Sequence, residues 1–310
     1  MQKSNRRNIY RFGKKAHKKS LKGPVLFLFL ILVSFLLYGI FRKGSVWNGK
    51  DKFTIAIRGE NEDVKIVVFD PAIEKITIVK IPGETEVQVS RKLGTWRLKS
   101  LWELGENEGI GGALLAETAT RYLKFPTTAW ADSKAYPLAT GNLVQMVKSE
   151  FFHYETNIGF PDRISLFLFG LKVGNTQREE IDLAETGYLR KTTFVDGESG
   201  YEVLRVFPNE LLAVFSDPFI SKNQTKVMIK DSSGDGSVSE SLSGVVEVMG
   251  GKIASIAKEE ETDEDCTVFG KEHTLVAKFS VLFGCTVVRN TNDSVFEVEI
   301  RIGKAFARRY

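Results

Sequence analysis

The sequence is poor in the residues that build disulfide scaffolds and metal sites. Among 310 residues there are only 2 cysteines and 3 histidines. Two cysteines exclude a disulfide-rich scaffold and a four-cysteine zinc site. The histidines, His17, His153 and His273, lie too far apart to show metal-ligand spacing. The phosphate-loop pattern G-x-x-x-x-G-K-[ST] and the nucleophile pattern G-x-S-x-G are also absent. We therefore predict no metal site, and no motif names a reaction.

Charge is distributed unevenly along the chain. The sequence has 43 Lys and Arg against 39 Asp and Glu, a formal net charge of +4. Residues 1–22 hold nine of the cations and no acid, which leaves 34 cations against 39 acids, or −5, in the rest. A basic excess often indicates a nucleic-acid partner. Here it is confined to one short tail, so we predict no nucleic-acid partner.

An uncharged apolar run follows the tail. Pro24–Phe41 (PVLFLFLILVSFLLYGIF) has 18 residues, enough to span a hydrocarbon core of about 30 Å as a helix. It shows no polar stripe, unlike a buried amphipathic helix. A cleaved signal peptide would have a shorter apolar region and a small-residue cleavage site, whereas Arg42 and Lys43 follow here. We predict an uncleaved transmembrane anchor at residues 23–41.

The orientation of this anchor follows from the bias of Lys and Arg at its two ends. Nine cations precede it, and five lie in residues 42–58. We therefore expect residues 1–22 to form a cytoplasmic tail and residues 42–310 to lie outside the membrane in a single-pass arrangement. The tail would contact anionic lipid and set the topology.

The part outside the membrane begins with a linker at residues 42–51, and two domains of α/β class are predicted after it. In the first, residues 52–220, the predicted strands are 53–57, 64–69, 75–81 and 202–207, and the predicted helices are 107–124 and 142–152. The apolar run 165–170 is ambiguous, and 210–215 reads as a short helix or a strand. In the second, residues 221–310, strands at 226–230, 253–257, 266–269, 285–289 and 296–302 alternate with helices at 238–249 and 273–283. The order β-α-β-β-α-β-β predicts a small α/β sandwich.

The two cysteines both open predicted strands of the second domain. If that domain lies outside the cytoplasm, a disulfide between Cys266 and Cys285 is permitted. The alternative is a pair of buried free thiols, and the sequence leaves both readings open.

This organisation resembles the LytR-CpsA-Psr family. The stretch Asp70–Val89 (DPAIEKITIVKIPGETEVQV) is similar to that family's Asp-Pro, strand, Ile-Pro-Arg-Asp-Thr sequence. Residues 221–310 resemble the LytR C-terminal domain through Lys226–Lys230, the turn Ser233–Gly236, the helix after it, and Glu297–Ala305 (EVEIRIGKA). The resemblance covers most of residues 52–310, and its first part is divergent.

The resemblance implies a chemistry and a set of residues for it. Members of the family transfer lipid-linked glycopolymers to the cell wall, using arginines on a pyrophosphate and acids that bind a divalent metal. In this sequence Gly83 stands where the arginine of Ile-Pro-Arg-Asp-Thr is expected, and Glu84 where its aspartate is expected. Candidate site residues are Glu62, Asp63 and Asp70 as acids, and Arg91, Arg97 and Lys99 as substitutes for the missing arginine. The three cations also fit solvated loop charges.

Three functions follow from this sequence. We prefer a membrane-anchored cell-envelope protein that binds an envelope glycopolymer, a polyprenyl lipid or an envelope protein without turnover and without a cofactor, because the arginine is missing. The alternative is an active Mg²⁺-dependent phosphotransferase that attaches lipid-linked glycopolymers to the cell wall. A transcription regulator is the third, although only 22 residues are predicted to lie inside the cell.

Overall fold

The computed structural model describes residues 47–60, 62–151, 154–288 and 296–310. These residues belong to one compact unit, Gly44–Tyr310. In these ranges no helix combines the length and apolarity that a bilayer crossing requires. The predicted tail and the anchor at 23–41 lie outside the described residues, and both remain predictions.

The described chain is a mixed α/β fold, the class that the sequence predicts. Its strands are β1 (Phe53–Arg58), β2 (Val64–Asp70), β3 (Lys75–Ile81), β4 (Thr85–Gln88), β5 (Thr95–Arg97), β6 (Ala129–Ala131), β7 (Arg178–Asp182), β8 (Leu189–Thr193), β9 (Ser199–Val203), β10 (Lys226–Ser232), β11 (Lys252–Lys258), β12 (Cys266–Gly270), β13 (Thr286–Val287) and β14 (Val298–Gly303). Its helices are α1 (Leu101–Asn107), α2 (Ala113–Arg121), α3 (Pro137–Thr140), α4 (Leu143–Phe151), α5 (Phe160–Lys172), α6 (Asn209–Phe215), α7 (Pro218–Lys222), α8 (Gly236–Val248), α9 (His273–Phe283) and α10 (Lys304–Arg309).

The strands form three sheets, in the orders β6-β1-β2-β3-β7, β5-β4-β9-β8 and β11-β10-β14-β12-β13. The first sheet is buried on both faces. Ala56, Ile66 and Val68 join one hydrophobic cluster, and the alternate residues Ile55 and Val67 join another. A strand covered on both faces has no polar alternation, which explains the continuous apolar runs of β1 and β2.

The C-terminal sheet has a third cluster of its own, to which α8, α9 and α10 contribute. The helix α9 ends at Phe283 and is capped by Gly284, whose φ of 64° is the left-handed conformation that the sequence indicates. A disulfide joins Cys266 and Cys285, with a Cα–Cα distance of 4.7 Å. The predicted boundary between residues 220 and 221 falls inside α7, and Ile220 packs in this third cluster.

Several predicted elements differ from the observed ones. The helix predicted at 107–124 begins only at Ala113, as α2, because the segment before it turns through Gly109 and Gly111, which have φ values of 71° and 55°. The ambiguous run 165–170 lies inside α5, and the strand predicted at 202–207 is β9, which ends at Val203. The helix α10 was not predicted.

The C-terminal sheet packs against the first part of the unit around Lys124, which follows α2. The Nζ atom of Lys124 donates to the carbonyl oxygen of Arg121 and to Oγ of Ser241, both at 2.6 Å. Nη1 of Arg121 donates to the backbone oxygen of Tyr310 at 3.0 Å. Burial, helped by the charge of Arg121, lowers the pKa of Lys124 from 10.5 to about 8.

This lowered pKa predicts a stability that rises with pH. Below pH 8 both the folded and the unfolded chain carry the proton, whereas between pH 8 and 10.5 only the unfolded chain retains it, so stability increases in that window. We expect the wild type to gain about 1–3 kcal/mol relative to Lys124→Met between pH 8 and 10. Urea unfolding of both proteins across this range measures the gain. If the free energies of unfolding of the two proteins changed equally with pH, the prediction would be wrong.

Candidate functional site

A cleft of about 430 Å³ lies where β1 ends and β2 begins. We call it the polar cleft. One wall is the turn between the two strands, and the other is α1 with the 3₁₀ turn before it. Its charged side chains are Arg58, Glu60, Glu62, Asp63, Lys99 and Glu103. Among the described residues, four carboxylates therefore accompany two cations, and the cleft is acidic.

Lys99 is held by two carboxylates. Its Nζ atom lies 2.6 Å from Oε1 of Glu84 and 3.3 Å from Oε2 of Glu62. These hydrogen bonds raise the pKa of Lys99. The ammonium group therefore stays charged at neutral pH, but its charge is already balanced by two acids of the chain.

Asp63 is paired in the same way. Its Oδ2 atom lies 3.3 Å from Nζ of Lys80 on β3, and the hydrogen bond and charge of Asp63 raise the pKa of Lys80. The backbone oxygen of Asp63 accepts from the amide of Gly59 at 2.7 Å, which closes the turn. The side chain and backbone of Asp63 thus both stabilise the wall of the cleft.

The second cation of the cleft is Arg58, at the end of β1. Its Nη2 atom lies 3.5 Å from Oε1 of Glu103, and its guanidinium lies 5.9 Å from the ring centroid of Trp102. Beside Arg58 the cleft adjoins a smaller pocket of about 90 Å³. There Nζ of Lys65 lies 3.5 Å above the ring of Tyr136, a cation–π contact.

Position 83, where the family resemblance expects an arginine, has no room for a side chain. A Cβ atom on Gly83 would lie 2.1 Å from the backbone oxygen of Glu62 and 3.0 Å from Cβ of Lys99. The carbonyl oxygen of Gly83 also accepts from the amide of Lys99 at 3.0 Å. The turn between β1 and β2 therefore occupies the space that an arginine would need.

Arg91 and Arg97 do not reach the polar cleft. Arg91 donates to both carboxylate oxygens of Glu117 at 2.7 Å, and this hydrogen-bonded pair raises the pKa of Arg91. Arg97 pairs with Glu198, at 2.6 Å with Asp196, and at 3.3 Å with Glu84, the carboxylate that also holds Lys99. Both arginines are therefore held in ion pairs with acids of the chain and are not the solvated loop charges that the alternative reading describes.

Asp70 is also remote from the cleft. It closes β2 at the end opposite to Asp63, about 20 Å away along a strand of this length. Its Oδ2 atom lies 3.1 Å from Nζ of Lys52, and Oδ1 accepts from the amide of Ala72 at 3.1 Å. Of the six candidate residues, the structure brings together Glu62, Asp63 and Lys99.

The acids of the cleft do not fit a magnesium site. Within the described ranges, no group of three His, Cys, Asp or Glu side chains is arranged to hold a metal ion. Glu62 and Asp63 each bind a lysine instead, through the pairs with Lys99 and Lys80. We therefore derive no step through a metal.

Sequence reasoning missed Arg58 and Glu103. Arg58 reads as the polar end of a strand, and Glu103 lies in a helix that was not predicted to begin before residue 107. They meet because the β1–β2 turn folds over α1, a contact between segments about 45 residues apart. No local sequence signal could have revealed this pairing.

A second cavity of about 410 Å³ lies between the start of β1 and α9. Its walls are mainly apolar and include Phe53, Met249 and Leu282. At its edge Nζ of Lys278 pairs with Asp217 and lies 3.2 Å from Oδ1 of Asp51. This ionic group joins the first β-strand segment to the C-terminal sheet, and no sequence pattern predicts it.

Fold and site together define a mixed α/β protein with an acidic surface cleft. No family model matches the sequence, and no curated protein matches it. Among solved structures, TagT from B. subtilis has 14% identity and a TM-score of 0.37 over 53% of this chain and 89% of its own. TagV from B. subtilis has 10% identity and a TM-score of 0.39, over 66% and 99%. Lin1025 from Listeria innocua has 9% identity and a TM-score of 0.36, over 50% and 92%.

These three proteins belong to the LytR-CpsA-Psr family. Because their TM-scores are below 0.5 and their identities below 15%, the similarity does not decide the family, the activity or the ligand of this chain. Both resemblances, to LytR-CpsA-Psr proteins and to the LytR C-terminal domain, stay predictions from the residues.

Proposed function

We propose that this chain is a membrane-anchored cell-envelope protein that binds an envelope glycan in the polar cleft and does not transfer it. The contact between Gly83 and Glu62 carries the proposal. Phosphoryl transfer requires preorganised cations that remain available to the developing charge of the phosphate. Position 83 has no room for an arginine, because the backbone oxygen of Glu62 occupies its Cβ direction.

The electrostatics of the cleft support the same reading. Lys99 is balanced by Glu62 and Glu84, and Arg58 by Glu103. An acidic cleft repels a pyrophosphate, whereas carboxylates accept hydrogen bonds from sugar hydroxyls. The proposed ligand is therefore the neutral, hydroxyl-rich part of an envelope glycan. A polyprenyl lipid and an envelope protein remain the other partners that the sequence suggests.

The proposed location is extracytoplasmic, with residues 1–22 inside the cell and 42–310 outside. The asymmetry of Lys and Arg around residues 23–41 supports it. The disulfide between Cys266 and Cys285 fits this location, because disulfides persist in oxidising compartments and are rare in the cytosol.

Glycan binding to residues 44–310 tests the proposal. We expect neutral oligomers of N-acetylglucosamine to bind, and polyanionic teichoic acid to bind at least ~10-fold more weakly, because the cleft carries excess negative charge. Glu103→Gln should weaken glycan binding several-fold through the loss of a charge-assisted acceptor. Titration calorimetry measures each constant.

The matched control is Glu260→Gln, in an exposed loop of the C-terminal part, which should bind like the wild type. Two results would count against the proposal. One is tighter binding of the polyanion than of the neutral oligomers. The other is glycopolymer transfer by the wild type in the presence of Mg²⁺ and a polyprenyl-pyrophosphate glycan.

A phosphotransferase is the second candidate. It is favoured by one observation, the presence of Lys99, Glu62 and Asp63 in a single cleft with Arg58. If the wild type transfers glycopolymer, the variant Lys99→Met should have lost this activity. Under the preferred proposal there is no transfer for this substitution to remove.

A further inference from the structure

The helices α4 and α5 expose a group of large apolar side chains on the surface. Leu143, Val144 and Val147 of α4 and Leu168 and Leu171 of α5 are each between 37% and 65% exposed. Elsewhere in the described chain, exposed apolar residues such as Val195 and Val206 stand farther apart in sequence. Contiguous exposed apolar surface is rare on soluble proteins and marks a binding surface. We call these five residues the apolar face.

The five side chains lie on one side of the helix pair. Met146 of α4 contacts Gly170 of α5, since a Cβ on Gly170 would lie 2.6 Å from Cε of Met146. This contact joins the first half of α4 to the end of α5, as in an antiparallel pair. Successive helical residues are rotated by about 100°. Val147 follows Met146 and Leu171 follows Gly170, so each is rotated by about 100° from a residue at the contact between the helices. In an antiparallel pair these two rotations turn the side chains to the same side.

On the side of α5 that is opposite to the apolar face, the helix contacts the first residues of the described chain. The amide of Trp47 donates to Oδ1 of Asp162 at 3.2 Å, and its ring packs edge-on against Phe169 at 6.0 Å. In the sequence only residues 42–46 separate Trp47 from the end of the predicted anchor at Phe41. Such a segment extends to at most about 20 Å. A tether of this length would keep residues 47–310 near the bilayer that holds the predicted anchor.

We propose that the apolar face of α4 and α5 inserts into the interfacial region of the lipid bilayer. A short tether gives the face a high effective concentration at the membrane, so even weak insertion is populated. Moving half-exposed Leu and Val side chains from water into the apolar part of the bilayer lowers the free energy of the system. Lys148 on α4 is exposed and adds attraction to anionic headgroups. The anchored unit would then lie on the membrane in one orientation.

Vesicle binding by residues 44–310 tests this proposal without the anchor. The fragment forms a compact unit with its own hydrophobic clusters, so it is expected to fold alone. We expect it to cosediment with vesicles of phosphatidylglycerol and phosphatidylcholine. The double variant Val144→Glu, Leu168→Glu should lower the partition coefficient at least ~10-fold, because two acids enter the apolar face.

Two further measurements distinguish insertion of the apolar face from adsorption of the protein to the vesicle surface. In L168W the added indole should fluoresce at shorter wavelength with vesicles, and brominated lipid should quench it. The double variant Val195→Glu, Val206→Glu places the same two charges on exposed apolar residues outside the face and should leave vesicle binding unchanged. Circular dichroism of each variant checks that it is folded.

Three outcomes would overturn the proposal. The first is that the fragment does not bind vesicles, and the second is that it binds them equally well after the double substitution. The third is that the fragment does not bind vesicles but sediments as a dimer, which the double substitution dissociates. The last outcome would assign the face to a second copy of the chain. The inference shares with the proposed function only the predicted anchor. Failure of vesicle binding leaves glycan binding in the polar cleft unaffected, and the reverse also holds.

Discussion

Replacing Gly83 with arginine is expected to lower the free energy of unfolding of residues 44–310 by at least about 2 kcal/mol, and to produce no phosphotransferase activity. The new Cβ would lie 2.1 Å from the backbone oxygen of Glu62. That oxygen belongs to a turn tied by the hydrogen bond from Gly59 to Asp63, so relief requires movement of backbone and not only of a side chain. Urea unfolding measures the stability, and a polyprenyl-pyrophosphate glycan with Mg²⁺ provides the activity assay.

Gly236 supplies the matched control for this substitution. A Cβ at this position would meet no heavy atom within 4 Å, and its φ lies outside the left-handed region. Gly236→Ala and Gly236→Arg should therefore change the stability by less than about 0.5 kcal/mol, whereas Gly83→Ala should already be destabilising. If Gly83→Arg were as stable as the wild type, the steric clash at position 83 would be wrong. Transfer of glycopolymer by this variant would show that the rest of the cleft can catalyse and that the wild type lacks only the arginine.

Removal of the disulfide, in the double variant Cys266→Ala, Cys285→Ala, is expected to destabilise residues 44–310 by about 3 kcal/mol. The two cysteines are 19 positions apart, and the link restricts this segment in the unfolded chain. In the folded chain it connects the buried start of β12 to the residue after Gly284, the cap of α9. The neighbouring strand β13 has only two residues, so few backbone hydrogen bonds replace the covalent link.

Reductant provides the internal control for the disulfide. Urea unfolding of the wild type should shift to lower urea when dithiothreitol is added, whereas the double alanine variant should unfold at the same urea concentration with or without it. If reductant does not change the urea concentration at the unfolding midpoint of the wild type, the two sulfurs are not joined in the purified protein.

Local patterns predict much of the secondary structure. The strands β1, β2 and β3 and the helices α8 and α9 occur within about two residues of their predicted bounds. Continuous apolar runs, helical spacing and the glycines after α8 and α9 act over a few residues, so they can be read from sequence. The helix predicted at 107–124 is confirmed as α2, but its predicted start is wrong because Gly109 and Gly111 turn the chain between α1 and α2.

The site was less accessible to sequence reasoning. Glu62, Asp63 and Lys99 were named as candidates, and the fold places them together, whereas Arg91, Arg97 and Asp70 were named on the same grounds and lie elsewhere. Loop cations are mobile and long, so their partners depend on which acids the fold brings near. For Arg91 this is Glu117, 26 residues away.

Interactions between residues that are close in the chain can be predicted from composition and spacing. They specified the α/β class, the early strands and the helix ends of this protein, and they predict its anchor and topology. The acidic cleft, the blocked position of Gly83, the choice between a disulfide and two free thiols, and the apolar face depend on the tertiary structure. The Cβ direction of Gly83 is closed by a turn about 20 residues earlier, and no periodicity encodes such a contact. Packing alone therefore decides that a side chain at position 83 meets the backbone of Glu62.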